Sequence, residues 1–171
     1  MILATTKSVK DKIKQFEQRY KYDASYLHEV AKLSPASFEK LEQVKHLATA
    51  SGTLSDPVYW VARLAVVIHC GCGSCISLNA QLAREQQVSS ALIFAVIHEP
   101  GRLPRELRAI YDYAGLTFNQ TIYPLELRQQ VTKIVGKAGM AELSLVIALA
   151  GIFPLVKKSM GYADFCEVSI Q

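Results

Sequence analysis

Helix starts followed by glycine or proline stops recur along this sequence, and between them the apolar residues fall three and four apart. Ser34-Pro35 offers an N-cap and a proline at the first helical position; Phe38, Leu41, Val44 and Leu47-Ala48 then give an apolar face that stops at Ser51-Gly52. Asp56-Pro57 repeats the device before Trp60, Leu64, Val67 and Ile68, a run leading to Gly71, and a helix from about Cys72 carries Ile76, Leu78, Leu82 and Ala83. Ser89 and Ser90 can cap Ala91 to Ile97, which Pro100-Gly101 closes, and Pro104 opens a helix through Leu107, Ile110, Tyr111 and Ala114 that ends near Gly115. After a loop from Thr117 to Tyr123, the pattern predicts helices over Leu125 to Gly136 and Ala141 to Met160, the last kinked or shortened by Pro154. No segment alternates as a strand does, and no period of 20 to 50 residues appears. The expectation is an all-α domain of eight or nine helices.

A chain of 171 residues has room for one compact domain, and with half of its residues hydrophobic against 20% charged it is too apolar to be disordered. The longest apolar stretch, Leu143 to Val156, is broken by Ser144, Gly151 and Pro154 and is short of a membrane span, so no transmembrane helix is expected. Nothing reads as a secretory signal, and a cytoplasmic location is the default. The net charge of +4 resides in the first 21 residues, where Lys7, Lys10, Lys12, Lys14, Arg19 and Lys21 face Asp11 and Glu17. A nucleic-acid or membrane arm is one reading of that segment. The preferred one is an amphipathic helix that docks Val9, Ile13, Phe16 and Tyr20 and leaves its lysines in solvent, with neither nucleic acid nor membrane as partner. Ala141 to Val156 is apolar nearly all round, which suggests burial at a subunit interface or deep in the monomer.

Chemistry concentrates in His69-Cys70-Gly71-Cys72-Gly73-Ser74-Cys75. Gly71 and Gly73 let the backbone turn from one helix into the next. That places Cys72 in a first helical turn, where unpaired N–H groups and the helix dipole favour a thiolate. Cys72 and Cys75 share a face, so their sulfurs can approach disulfide distance and either can trap the other after oxidation. Two alternatives stand beside this redox reading. One is a metal site of Cys70, Cys72 and Cys75 with His69 or Cys166, which lacks the two separated ligand pairs of a zinc site. The other is a set of inert buried thiols, the better assignment for Cys70 and Cys166 individually.

Leu64-Ala65-Val66-Val67, followed by Gly71-Cys72-Gly73-Ser74-Cys75 and a helix bearing Ala80 and Ala83, resembles the redox-site helix pair of the alkylhydroperoxidase AhpD-like and carboxymuconolactone decarboxylase superfamily. Leu107 to Ala114 resembles the family's next helix and Leu127 to Met160 its final pair, so the resemblance covers about Ser34 to Gly161. This divides the chain into an N-terminal helical extension, residues 1–33, and an AhpD-like domain, residues 34–171, within one compact unit. The resemblance implies an all-helical homo-oligomer, a trimer or hexamer, that reduces small or organic hydroperoxides with electrons from a thiol or protein reductant. It implies that Cys75 attacks the peroxide and becomes a sulfenic acid, which Cys72 resolves as a disulfide. Metal, flavin and haem are not required.

The chain departs from the family at two places: Asn79 stands where a histidine is usual, four residues after the second cysteine, and Trp60 stands for a glutamate twelve residues before the first. Asn79 can donate a hydrogen bond to a thiolate but cannot carry a proton near neutral pH. His69, three residues before Cys72, is the candidate replacement base, and it reads equally as a satisfied core histidine. Asp56 is read as an N-cap rather than a site carboxylate, His98 and Glu99 as surface or capping groups, and His28 and His46 as having no chemical partner. Tyr59, Trp60, Phe94 and Tyr111 are candidates for an apolar pocket or for ordinary core. The leading expectation is a thiol-dependent hydroperoxide reductase with site residues Cys75, Cys72, Asn79 and His69. The alternatives are a thiol-disulfide exchanger or redox sensor, and a non-catalytic helical oligomer with a degenerate site.

Overall fold

The computed structural model describes residues 6–47, 52–120 and 122–162, and among these it contains helices and no strand. Nine α-helices follow in order: α1 (Thr6–Tyr20), α2 (Ser25–Leu33), α3 (Pro35–Leu47), α4 (Asp56–His69), α5 (Gly73–Glu85), α6 (Ser90–His98), α7 (Arg105–Phe118), α8 (Leu125–Ala150) and α9 (Ile152–Ser159), with a 3₁₀ turn at Pro100–Arg102. The all-α expectation holds.

α4 is the central element. Its Val61, Ala62, Leu64, Ala65, Val66 and Val67 are all essentially inaccessible, so both sides of the helix are covered. α7 and α8 pack against it and against each other, with Ile110, Ala114, Val131 and Leu143 completing the main core. Burying such a helix all round is the main apolar gain available to a chain of this size. A second cluster lies at the C-terminal end of α4. There Ile13, Tyr20, Tyr22, Tyr26 and Val30 from α1, α2 and their connection, with Phe38 of α3, meet Val67, Cys72, Cys75 and Ile76. Ile13 and Tyr20 are buried while Lys10, Lys12, Lys14, Arg19 and Lys21 are exposed, the amphipathic arrangement that the spacing predicts.

Several boundaries differ from the sequence expectation for identifiable reasons. Ser55, not Asp56, occupies the N-cap of α4, and Asp56 lies in the first turn, where its charge suits the helix dipole. α7 runs past Gly115 to Phe118, because Gly115 is there for space: a Cβ at that position would overlap the His69 ring. The gap expected after Gly136 is a single non-helical residue, with φ 73° and ψ 175°, inside α8. The next break falls at Gly151, so Pro154 sits in the first turn of α9, where its missing N–H costs nothing. Ser89 does cap α6, its hydroxyl accepting from Leu92 N–H at 3.2 Å.

The joined run Leu125–Ser159 is long and apolar enough, by length and composition alone, to cross a membrane, a length that the apolar stretch ending at Val156 did not suggest. Within the fold its Leu143, Val146, Ile147 and Ala150 are buried in the main core, while Leu145 and Leu155 are exposed. Ser51 and Thr121 lie outside the described residues.

Glu142 of α8 fastens the turn that leads into α4. Its carboxylate accepts from the Thr53 hydroxyl at 2.9 Å, from Leu54 N–H at 3.1 Å and from Thr53 N–H. Burial works to raise its pKa, but these donors outweigh it and hold the carboxyl below its ordinary value. A depressed carboxyl contributes stability that is fully present above its unfolded value and fades as pH falls through the folded one. Glu142→Gln is therefore expected to cost about 1 kcal/mol in urea unfolding at pH 7, with the gap to wild type narrowing below the ordinary carboxyl value of 4.5.

Candidate functional site

Gly71, with φ of 69°, makes the left-handed turn between α4 and α5 that side-chain-bearing residues rarely adopt. Its N–H bonds the Ile68 carbonyl at 2.9 Å, closing α4, and the chain then enters α5 through Cys72. Cys72 is the N-cap of α5, in extended conformation, one position earlier than the first turn expected for it. Cys75 is the third residue of that helix. The two form a disulfide with Cα atoms 5.2 Å apart, and both are buried, Cys72 to 1% and Cys75 to 2% exposure. Both sulfurs thus lie at the N-terminal end of α5, where the helix dipole favours negative charge, although the Cys72 side chain makes no capping hydrogen bond.

Four elements place polar groups around the pair. Asn79, one turn after Cys75, donates from Nδ2 to the Cys75 carbonyl at 2.8 Å and accepts at Oδ1 from Arg63 Nε of α4 at 2.6 Å. The guanidinium, which also donates to the Tyr59 hydroxyl at 3.2 Å, is in this way held beside the site. The Tyr22 hydroxyl, from the turn between α1 and α2, lies 3.6 Å from Cys75 Sγ. On the other side Ser74 Oγ lies 3.6 Å from Cys72 Sγ and accepts from Lys157 Nζ of α9 at 2.9 Å.

Cys75 opens onto a cavity of about 520 Å³ walled by Ile13, Phe16, Leu78 and Phe153, with Tyr22, Arg63 and Asn79 among its polar lining and Lys12, Arg19, Glu42 and Lys45 lining it as well. Cys72 does not line it. Burial pushes the neighbouring Tyr26 phenol up to about 12, so that its hydroxyl stays protonated. Tyr59, Trp60, Phe94 and Tyr111, the aromatics the sequence offers for a pocket, are not among its walls. Trp60 instead packs with Ala80, Ala83, Val88 and Ile93 between α4, α5 and α6, and Phe94 is exposed.

The remaining candidates fall as follows. His69 is exposed at the end of α4, with Nδ1 3.0 Å from Asn119 Nδ2 and its ring 6.4 Å from that of Tyr111, so its contacts are with α7 and the residue after it. Cys70 is a free, half-buried thiol pushed up to about 11 by burial, partly offset by Lys158. Among the described residues no three His, Cys, Asp or Glu side chains gather as a metal ligand set, and Cys166 lies outside them. His28, for which the sequence offers no partner, faces Glu17 at 3.2 Å. His98 is exposed against Phe94, Glu99 pairs with Arg102 at 2.8 Å, and the side chain of His46 lies outside the description.

Sequence reasoning missed Arg63, Tyr22 and Lys157. Arg63 and Tyr22 carry no motif, and Lys157 looks like an ordinary lysine at a helix end. One signal was present: Lys157 follows Phe153 at helical spacing inside an apolar face.

Asn79→Leu removes both the acceptor for Arg63 and the donor to Cys75. It is expected to lower stability by about 2 kcal/mol in denaturant unfolding, whereas Asn79→Asp, which keeps the acceptor, is expected to retain most of that. Comparison with protein-family models, with curated proteins and with solved structures finds no match to this chain.

Proposed function

We propose that this protein is a thiol-dependent hydroperoxide reductase of the AhpD-like type, in which Cys75 is the attacking thiol and Cys72 the resolving one. The observation that carries the reading is the asymmetry of the pair: Cys75 faces a cavity of about 520 Å³ whose walls combine apolar residues such as Ile13, Phe16, Leu78 and Phe153 with charged ones such as Lys12, Arg19 and Glu42, and Cys72, 5.2 Å away between Cα atoms, does not. An organic hydroperoxide, with an apolar body and a polar peroxide end, suits the apolar part of those walls. The Cys75 thiolate attacks the terminal peroxide oxygen, the O–O bond breaks, and an alkoxide leaves and takes a proton to become the alcohol. Cys72 then attacks the Cys75 sulfenic acid, forming the disulfide and releasing hydroxide, which becomes water. A dithiol reductant returns two electrons and two protons.

The usual histidine and glutamate are replaced by Asn79 and Trp60, so this reading assigns their work differently. The Tyr22 hydroxyl, 3.6 Å from Cys75 Sγ, is the nearby donor to thiolate and leaving oxygen. Asn79 orients Arg63, whose positive charge favours the thiolate. His69 makes its contacts with Asn119 and Tyr111 and has no part in the step. Burial of both sulfurs favours a small oxidant over the disulfide of another protein, which must bring its own sulfur into contact. The same reading makes the chain a cytoplasmic homo-oligomer, with the exposed Leu145 and Leu155 of α8 and α9 covered by a second subunit.

The test is steady-state consumption of cumene hydroperoxide with excess dithiothreitol. Turnover is expected to vanish in Cys75→Ser, to fall about tenfold in Tyr22→Phe, a loss of about 1.4 kcal/mol, and to be retained in His69→Ala. Turnover that persists in Cys75→Ser overturns the assignment. Reduction of a small disulfide without peroxide consumption would transfer the pair to thiol-disulfide exchange.

A further inference from the structure

Among the described residues Lys157 is the one charged side chain that is buried, at 1% exposure. Its ammonium donates to Ser74 Oγ at 2.9 Å and to the Asp23 carbonyl at 3.2 Å, and it stands 4.7 Å from the centre of the Tyr22 ring. No carboxylate among the described residues is within ion-pair distance of it. Dipoles alone are a poor substitute for a counter-charge in a buried setting, because desolvation of an ammonium is costly and is offset fully only by an anion. Apart from the exposed Asp23 carboxylate, which acts on Lys157 without contact, the group at hand that becomes an anion is the dithiol itself. Ser74 Oγ touches Lys157 Nζ on one side and lies 3.6 Å from Cys72 Sγ on the other.

We propose that Lys157, acting through Ser74, is a positioning residue that holds Cys72 as a thiolate whenever the Cys72–Cys75 disulfide is reduced. The reduced site then contains an ion pair that the oxidised site lacks. On reduction, a thiolate of the external dithiol attacks the disulfide, the S–S bond breaks, and the pair accepts two electrons. Cys75 takes up one proton, which passes to the leaving oxygen when Cys75 attacks its oxidant as the thiolate; Cys72 stays ionised beside Ser74, and the second proton goes to solvent. On oxidation the Cys72 thiolate attacks the Cys75 sulfenic acid without first having to lose a proton. The two sulfurs are thus differentiated by their surroundings, Cys72 by Ser74 and Lys157, Cys75 by Tyr22 and the cavity.

Other charged or titratable groups stand around the pair on every packed element. Arg63 of α4 is held by Asn79; Tyr22 and Asp23 come from the turn after α1, and Tyr26 from α2. The Asp23 carboxylate is exposed and is held below its ordinary value first by its hydrogen bonds with Ser25 and in smaller part by the Lys157 charge, but it makes no ion-pair contact with the ammonium. Lys158, next to Lys157, acts on Cys70 instead.

This inference rests on Cys72 and Cys75 being a redox pair, and not on the oxidant being a peroxide. The experiment equilibrates the full chain with mixtures of reduced and oxidised dithiothreitol between pH 6 and 8, quenches in acid, and counts free thiols by labelling and mass spectrometry. Dithiothreitol gives up two thiol protons, so retention of a thiolate on Cys72 releases one proton per disulfide reduced. The equilibrium is then expected to shift toward the reduced protein by about tenfold per pH unit in the wild type, by mass action. In Lys157→Met it is expected to become nearly independent of pH, and in Ser74→Ala to lose much of its slope. A role in packing alone would leave that slope unchanged. A flat wild-type profile, or a steep one that survives in Ser74→Ala, overturns the proposal; Ser74→Ala decides the matter should Lys157→Met not fold. A disulfide that dithiothreitol fails to reduce at any pH overturns the redox reading along with it.

Discussion

Gly71 takes φ of 69°, and that one left-handed residue reverses the chain between the buried α4 and α5. It delivers Cys72 to the N-cap and Cys75 to the third position of α5, with Cα atoms 5.2 Å apart. A wider connection would leave Cys72 in a loop, away from the helix dipole and from its partner. The turn holds because α4 is immobilised from all sides: Val66 and Val67 just before it are fully buried, and α7 and α8 cover the face opposite the site. Chemistry at the pair therefore depends on packing that has no chemistry of its own.

Segments distant in sequence complete the site. Tyr22 and Tyr26 come from the first part of the chain, Arg63 from α4 and Lys157 from α9, so residues more than a hundred positions apart surround the same two sulfurs. The basic N-terminal helix turns out to be a wall: Ile13 and Phe16, with the exposed Lys12, line the cavity at Cys75 while Lys10 and Lys14 face solvent. The low accessibility of both sulfurs follows from this covering.

Much of the fold was legible because each helix carries its own signals. Ser89 capping α6, the start of α3 at Pro35 and the apolar face of α1 follow from local rules. Where the boundaries moved, a tertiary contact outweighed a local preference. Gly115 reads as a stop in the sequence, yet it lies inside α7 because the His69 ring occupies the space of a side chain. Pro154 reads as a kink, and becomes harmless once Gly151 restarts the helix just before it. The cysteine pair was legible by spacing, since three residues along a helix bring two sulfurs to one face. Its surroundings were not, because Tyr22, Arg63 and Lys157 meet it only after folding, and the one linear sign, Lys157 at helical spacing from Phe153 on an apolar face, does not name the sulfurs as its neighbours. The aromatic residues near α4 illustrate the converse, for Trp60 sits in plausible proximity along the chain yet packs into a different cluster.

The claim that Cys72 and Cys75 form a working redox pair is tested most directly in a single turnover. The reduced protein is mixed with one equivalent of an organic hydroperoxide, and its intact mass and disulfide map are read. A loss of two hydrogen atoms with Cys72 joined to Cys75 is the expected result. Protein that remains reduced while the peroxide persists, or that gains oxygen on Cys75 without closing the disulfide, would contradict it.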